Sequence, residues 1–309
     1  MSPRTLHAVR TPARPGPGPL PAALLRRVDM TVRRRIDGLL AGDHRSSAFG
    51  EGTELAQVRP YVLGDDVRLI DWNVTARTGE PHVRVHVAER AVESWLLLDT
   101  SASMTFGTAD RRKWDVAEGV SLAIGHFASR RGNRLAVATF GDRSPTIAPA
   151  RQGKRAFLSL LLALRREPDL EPHGPTSVGG AVARLAAVVR RRSIVVIVSD
   201  FRGPRDWRRP LLQLASRHDV VAVEVRDPRE QELTDAGDLW LVDPESGRQL
   251  QVNTRSAKLR DRFRDEAAQE RRDVARELRS SGVAHLVLST SGDWLRELVT
   301  FLATERRRR

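Results

Sequence analysis

Five oxygen-bearing side chains lie where predicted strands end or a predicted helix begins. Asp99, Ser101 and Ser103 follow the apolar run WLLL, Asp200 follows SIVVIVS, and Thr176 lies in the loop HGPTSVGG. In an open parallel sheet, ligands bind beyond the carboxyl ends of the strands, so these side chains are expected at one edge of the sheet. Carboxylate and hydroxyl oxygens suit a hard divalent cation such as Mg²⁺. The sequence therefore predicts a metal site formed by these five residues.

The balance of hydroxyls and carboxylates indicates what such a site would do. Hydroxyls can bind an ion directly as neutral ligands, while carboxylates balance its charge through bound waters. An ion with few anionic direct ligands stays electrophilic and keeps one position open for a carboxylate from outside. We therefore expect a docking point for a protein partner rather than a catalytic centre.

Each of these residues also has an ordinary structural interpretation. Asp, Ser and Thr after a strand commonly form turns and helix caps, and Asp-x-Ser-x-Ser alone is a weak motif. Thr176 is well placed to cap a helix that begins near Ser177. Ser101 and Ser103 are harder to explain in this way, because the next helix is predicted to begin near residue 110. The arrival of three separate segments at one edge favours the metal site.

The order of the predicted elements indicates the fold class. From about residue 92 onward, short apolar segments such as WLLLD and SIVVIVSD alternate with helical patterns. This alternation is typical of an α/β fold with a doubly wound, mainly parallel sheet that is covered on both faces. Within it, LWLVD and RQLQV read as a hairpin joined through Pro-Glu-Ser-Gly.

The region upstream of the doubly wound domain has a different character. It is rich in Gly, Asp and Val and contains the alternating run HVRVHVAE, which predicts a small N-terminal β-rich subdomain. The predicted organisation is a flexible basic Pro/Gly-rich arm over 1–21, a helix with the β-rich subdomain over 22–91, the doubly wound domain over 92–306 and a basic tail over 307–309.

Composition limits the classes of protein to which the chain can belong. No window reaches the roughly 18 apolar residues of a membrane span, and the start of the chain lacks the apolar region of a secretory signal. The sequence has no cysteine, which excludes disulfides and Cys-ligated metals and fits a reducing compartment. We therefore expect a cytoplasmic protein without a membrane span.

The chain is strongly basic, with a formal net charge of +13. Three of its 52 Lys and Arg residues are lysines, so 49 are arginines. Nucleic-acid binding is therefore one alternative function. However, the arginines are spread along the chain among 39 acidic residues, and aromatic residues rarely accompany the basic runs. A solvated arginine-rich surface without specific nucleic-acid binding is the preferred interpretation.

An acidic cluster in the upstream segment also allows two interpretations. Asp65, Asp66 and Asp71 can form a second acidic site, with Trp72 and Tyr61 as a contact patch. The preferred alternative is structural: the glycine-aspartate stretch forms a turn, the tryptophan packs, and an arginine at position 68 or 77 pairs with the aspartates.

Motifs of common enzymes are absent from the sequence. There is no Gly-x-x-x-x-Gly-Lys-[Ser/Thr] phosphate loop and no Gly-x-Ser-x-Gly nucleophile elbow. A divalent-metal-dependent hydrolase remains an alternative, because a bound ion can activate water. It lacks a candidate general base, since Asp99 and Asp200 would be committed to the ion. We therefore expect a protein that is not an enzyme.

Two stretches of the sequence resemble known families. DTSAS, Thr176 and the aspartate of VSD resemble the metal-ion-dependent adhesion site of von Willebrand factor type A (vWA) domains. RPYVLGDDVRLIDWNVTARTGEPHVR resembles the signature of the bacterial family named domain of unknown function 58.

This resemblance implies roles for the candidate residues and a kind of partner. Ser101, Ser103 and Thr176 would contact Mg²⁺ or Mn²⁺, and Asp99 and Asp200 would act mainly through water. The family is associated with MoxR-type AAA+ ATPases, so the resemblance implies an adaptor or assembly factor that binds such an ATPase or its client.

Overall fold

The computed structural model describes residues 12–26, 28, 54–87, 93–128, 133–141, 145–166, 168 and 176–304. The chain divides into two compact units, which we call the large unit (Met1–Ile36 with Val92–Arg309) and the small unit (Asp37–Ala91). The division after residue 91 coincides with the predicted start of the doubly wound domain.

The small unit contains a two-stranded antiparallel sheet. Strand β1 (Glu54–Pro60) pairs with β2 (His82–Val87), and helix α1 (Trp72–Thr78) lies between them in sequence. Asp71 caps α1, because its side chain accepts hydrogen bonds from the backbone N–H groups of residues 73 and 74 at 3.0 and 3.2 Å. Gly79 ends the helix at φ +77°, a conformation that suits glycine.

Aspartate–arginine pairs hold the irregular segment of the small unit. The carboxylate of Asp65 accepts two hydrogen bonds of 2.7 Å from the guanidinium of Arg59, and Arg68 pairs with Asp66 at 3.2 Å. These contacts confirm that the aspartates pair with arginines, with Arg68 as one of the predicted partners. Of the two arginines that the sequence offered as partners, Arg77 instead donates to a backbone carbonyl.

Trp72 does not pack as the sequence analysis predicted. Its side chain is 70% exposed, because α1 is a seven-residue helix that buries none of its residues. Val62 and Leu63 are also exposed, at 60% and 97%. The small unit therefore carries several apolar side chains on its surface.

The large unit contains the remaining elements. Its strands are β3 (Glu93–Asp99), β4 (Arg134–Phe140), β5 (Ile147–Gln152), β6 (Ile194–Ser199), β7 (Asp219–Arg226), β8 (Asp238–Val242), β9 (Gln249–Asn253) and β10 (Ala284–Ser289). Its helices are α2 (Lys113–Ala128), α3 (Gly153–Leu164), α4 (Val178–Val188), α5 (Arg208–Ala215), α6 (Ala257–Ser280) and α7 (Trp294–Thr304).

Six of these strands form one sheet in the order β10-β7-β6-β3-β4-β5. Every neighbouring pair is parallel except β4 and β5, which are antiparallel. Numbered within this sheet, the order is 3-2-1-4-5-6 from β5 to β10, which is the order of doubly wound folds. The predicted fold class is therefore confirmed. Strands β8 and β9 form a separate antiparallel hairpin, also as predicted.

Helices cover both faces of this sheet because the strands are apolar on both faces. Trp95 and Leu97 of β3 belong to a buried cluster that includes side chains of α4, α5 and α6. Leu96 and Leu98, one position along, are fully buried without belonging to that cluster, as strand alternation requires. Helices α2 and α7 pack closely, since a Cβ on Gly119 would lie 2.3 Å from the Trp294 ring.

Within the large unit, the described part of the predicted flexible arm contacts residues at the starts of helices α2 and α7. The guanidinium of Arg111 donates to the carbonyl oxygens of Arg14 and Gly16 at 3.1 and 2.6 Å, and Trp294 Nε1 donates to the Pro17 carbonyl at 3.1 Å. The backbone carbonyls of Arg14, Gly16 and Pro17 therefore accept hydrogen bonds from buried donors.

The predicted helix and tail lie partly outside the described residues. Residues 22–26 and 28 are helical, and the remainder of the helix predicted from residue 22 lies outside the described residues. The helical residues belong to the large unit rather than to the β-rich subdomain, which corrects the boundary predicted at residue 22. The basic tail at 307–309 is likewise not described. Within the described ranges, no helix is both long and apolar enough to cross a membrane.

Asp227 ties together three segments at the carboxyl end of the sheet. It follows β7 and is fully buried. Its carboxylate accepts hydrogen bonds from the Thr108 N–H and hydroxyl at 2.8 and 2.6 Å and from the Thr290 hydroxyl at 2.7 Å. Burial would raise the pKa of Asp227, but these hydrogen bonds outweigh it and hold the pKa below its usual value.

We predict that Asp227→Asn lowers the free energy of unfolding by about 2 kcal/mol at pH 7, because hydrogen bonds to a charged acceptor are lost. A carboxylate with a lowered pKa stabilises the fold above its unfolded-state pKa of about 3.9, so the difference from wild type should shrink as the pH falls below that value. Urea unfolding would measure it, with the exposed Asp265→Asn as control. Equal effects of the two variants would contradict the prediction.

Candidate metal centre

The topology brings the two predicted carboxylates together. Asp99 ends β3 and Asp200 directly follows β6, and these strands pair in parallel, with Leu98 opposite Val198. The order of strands reverses between β3 and β6, which is where ligands bind in doubly wound folds. Asp99 and Asp200 are 1% and 5% exposed, so both carboxylates are withdrawn from water.

Asp99 is held firmly by neighbouring donors. Ser199 Oγ donates to Asp99 Oδ2 at 2.6 Å, and the Ser101 N–H donates to Asp99 Oδ1 at 3.0 Å. Burial, and then the nearby charge of Asp200, raise the pKa of Asp99 to about 7. Among the described residues, no cationic side chain forms an ion pair with Asp99.

The hydroxyls of Ser101 and Ser103 are not used as helix caps. Residues Ala102–Thr105 form a short 3₁₀ helix, and Ser101 stands at its N-cap position without a side-chain capping hydrogen bond. Instead, the Ser101 and Ser103 hydroxyl oxygens lie 3.1 Å apart. Both residues are buried. The structural alternative raised by the sequence therefore does not account for these two side chains.

Thr176 is also free of the capping role that the sequence allowed. Ser177 caps α4, since its hydroxyl accepts from the Gly180 N–H at 2.8 Å. The Thr176 hydroxyl donates to Glu245 Oε2 at 2.6 Å, and Glu245 Oε1 accepts from the Ser103 N–H at 3.2 Å. One carboxylate from the turn between β8 and β9 thus joins the threonine and serine segments.

A buried lysine neutralises part of the negative charge of the carboxylates at this edge of the sheet. Lys113, the first residue of α2, is fully buried, and its ammonium lies 2.6 Å from Asp200 Oδ2 and 2.7 Å from Glu230 Oε1. Burial would lower the pKa of Lys113, but the two carboxylates outweigh it and keep the pKa above its usual value. Burial likewise opposes the ionisation of Asp200, yet the charge of Lys113 lowers its pKa.

Two backbone positions next to the carboxylates are tightly constrained. Gly141 follows β4 with φ +92°, and a Cβ there would lie 2.8 Å from Ser101 Cβ and 2.9 Å from Asp99 Oδ1. Phe201, directly after Asp200, is a non-glycine residue with φ +52°. Non-glycine residues rarely adopt this conformation, and it is concentrated at functional sites.

The donor set fits a divalent cation. The described side chains at the site include four carboxylates and two cations. If all are ionised, two negative charges remain uncompensated. The carboxylates are Asp99, Asp200, Glu230 and Glu245, and the cations are Lys113 and Arg202. In the described part of the chain, no three His, Asp or Glu side chains converge as ligands of one ion. An ion here would therefore depend on hydroxyl oxygens, as the sequence predicted, and carry the missing positive charge.

Sequence reasoning missed several members of this group. Lys113 and Glu230 lie 87 and 30 residues from Asp200, with no local pattern that links them. Glu245 lies 142 residues from Ser103 in an ordinary hairpin turn. The glycine at position 141 ends an apolar strand and was a usable signal, because glycine there permits close approach of a backbone to a site.

The fold and the residues at its switch point define a doubly wound α/β domain with buried hydroxyls and carboxylates at the carboxyl edge of a mainly parallel sheet. The family described as "Protein of unknown function DUF58" matches residues 57–273. The chain belongs to this family.

Relatives and solved structures similar to this chain were also found. The chain is 43% identical over 286 residues to "Uncharacterized protein Rv1480" of Mycobacterium tuberculosis, covering 93% of this chain and 90% of that protein. An aerotolerance-related membrane protein from Bacteroides fragilis is 15% identical, with a TM-score of 0.46 over 71% of this chain and 100% of that structure. The SpRpn10 VWA domain is 15% identical, with a TM-score of 0.36 over 68% of this chain and 94% of that structure.

We predict that Lys113→Met destabilises the protein by about 3–5 kcal/mol, because it leaves buried carboxylates without a counter-charge. The exposed Lys154→Met provides the matched control. In a double-mutant cycle, Asp200→Asn should cost much less in the Lys113→Met background than in wild type. Urea unfolding in EDTA measures all four proteins, and additive losses would contradict the pairing.

Proposed function

We propose that this protein is a metal-dependent interaction module, in which a bound Mg²⁺ or Mn²⁺ docks a carboxylate of a partner protein at the carboxyl edge of the sheet. The observation that carries the proposal is the pair of buried hydroxyls of Ser101 and Ser103, 3.1 Å apart, beside Asp99, whose pKa is raised to about 7 by burial and by Asp200. Hydroxyls without a capping role, next to uncompensated charge, suit a hard cation.

The residues of the chain divide the work of such a site. Ser101, Ser103 and Thr176 would hold the ion through hydroxyl oxygens, and Asp99 and Asp200 would hold its bound waters. When bound, the ion supplies a positive centre with one position open to a carboxylate. Lys113 keeps Asp200 ionised and fixed in place, so that the carboxylate remains an acceptor.

The partner and the compartment are part of the proposal. The family resemblance favours a MoxR-type AAA+ ATPase, or a client of that ATPase, as the protein that brings the carboxylate. The lack of cysteine fits a reducing compartment, so we propose that docking takes place in the cytoplasm. We assign the site no catalytic role and the basic surface no specific nucleic acid. Phosphoester turnover that depends on Asp99 would contradict the first assignment.

A bound ion should stabilise the folded protein. An ion at 100 times its Kd stabilises a fold by about 2.7 kcal/mol, so saturating Mg²⁺ should raise the Tm by about 5 °C relative to EDTA. Ser101→Ala should abolish this rise, while Ser159→Ala, on α3, should retain it. Differential scanning calorimetry measures the Tm. A wild-type Tm that is the same in Mg²⁺ and EDTA would overturn the proposed site.

Binding of the partner protein should depend on the metal ion. The immobilised full chain should bind the purified MoxR-type ATPase of the same organism in Mg²⁺ and lose it in EDTA, because the docked carboxylate needs the ion. Asp99→Ala should lose at least about 1.4 kcal/mol of binding, a tenfold rise in Kd, and Asp265→Ala should lose none. Equal capture in Mg²⁺ and EDTA, measured by biolayer interferometry, would contradict metal-dependent docking.

A further inference from the structure

The turn of the β8–β9 hairpin reaches back to the candidate metal centre. Glu245 Oε2 accepts from the Thr176 hydroxyl at 2.6 Å, and Oε1 accepts from the Ser103 N–H at 3.2 Å. Both of these residues belong to the group that would hold the ion. A carboxylate of this chain therefore already lies against the hydroxyl side of the site.

The turn presents Glu245 in a fixed orientation. The carboxylate of Asp243 accepts hydrogen bonds from the Glu245 N–H at 3.1 Å and from the Ser246 hydroxyl. The Gly247 N–H donates to the Asp243 carbonyl at 2.8 Å, and Gly247 has φ +68°. This local network uses the backbone polar groups of the turn and leaves the Glu245 side chain available for the site.

The hairpin is anchored at its base and exposed near its tip. Thr254 at the base is fully buried, and its hydroxyl donates to the Gly237 carbonyl at 2.7 Å. Near the tip, Val242 and Leu250 are 53% and 65% exposed. Few apolar contacts hold the tip, so its attachment depends strongly on the two hydrogen bonds of Glu245, and opening it costs little apolar burial.

We infer that Glu245 is an intramolecular ligand of the site, which occupies the position where the proposed function places a partner's carboxylate. This inference rests on the proposed function, which identifies the place at the site where a partner's carboxylate would bind. The β8–β9 hairpin then acts as a tethered competitor. A partner must present a carboxylate to Ser103 and Thr176 and displace the hairpin tip, so acidic side chains on protruding turns, like Glu245 itself, are the chemistry that the site accepts.

Two measurements on the full chain test this inference, with Glu245→Ala compared with Asp238→Ala, which removes an exposed carboxylate from the other end of the same hairpin. The first is hydrogen exchange in EDTA. Glu245→Ala should speed exchange of the amides of residues 243–248 and of Ser103 by about tenfold, the usual effect of losing a charged hydrogen bond. The second uses Mn²⁺ as the probe. Water-proton relaxation should show about one more exchangeable water on the ion in Glu245→Ala than in wild type.

The two measurements separate the inference from the function on which it rests. Faster exchange with an added water supports both. Exchange that is unchanged in Glu245→Ala, or equally fast in Asp238→Ala, overturns the inference even if Mn²⁺ binds. An unchanged water count on bound Mn²⁺ also overturns it. Faster exchange in Glu245→Ala, with no Mn²⁺ bound by any of the proteins, overturns the proposed function and supports the tethered hairpin.

Discussion

The structure depends on two carboxylates that are buried beside each other at the ends of β3 and β6. Parallel pairing of these strands places Asp99 and Asp200 at adjoining strand ends, and the nearby charge of Asp200 raises the pKa of Asp99. Like charges in a poorly solvated place raise the free energy of the ionised pair. The surrounding donors, from the Ser199 hydroxyl to the Lys113 ammonium, compensate for this repulsion.

The negative charges of the two carboxylates are compensated to different extents. Lys113 neutralises Asp200, whereas Asp99 receives hydrogen bonds from a hydroxyl and a backbone N–H and has no cationic partner in the described part of the chain. Asp200 therefore has a counter-charge from the chain itself, whereas a cation bound near Asp99 would supply the counter-charge that Asp99 lacks among the described residues. The domain therefore keeps one permanent cation, the Lys113 ammonium, at its switch point.

Local pattern and topology explain what the sequence predicted, and long-range contacts explain what it missed. Apolar strands alternate with helices, and the helix caps are close in sequence to the helices they cap, as Ser256 is to α6. Short stretches of sequence were therefore enough to predict the fold class. Ligands of open parallel sheets bind beyond the carboxyl ends of the strands, and this principle predicted that Asp99 and Asp200 lie together. Glu245 and Lys113 reach the site across 142 and 87 residues from segments with no distinctive pattern. The exposure of Trp72 was missed because an aromatic residue in a short helix gives no sign of whether a partner surface exists.

An internal carboxylate changes what selectivity at such a site requires. A free acidic side chain competes against Glu245, whose effective concentration near Thr176 is on the order of millimolar or higher because it is tethered. Under the proposed function, isolated surface carboxylates would therefore be poor ligands, and a partner would need additional contacts that offset the displacement of the hairpin. The exposed apolar residues Trp240 and Val242 of β8 lie on that same hairpin, at 47% and 53% exposure. Exchanging Glu245 for a partner's carboxylate would provide little binding free energy by itself. A partner that also contacts these two apolar residues would gain binding free energy from the apolar surface it buries.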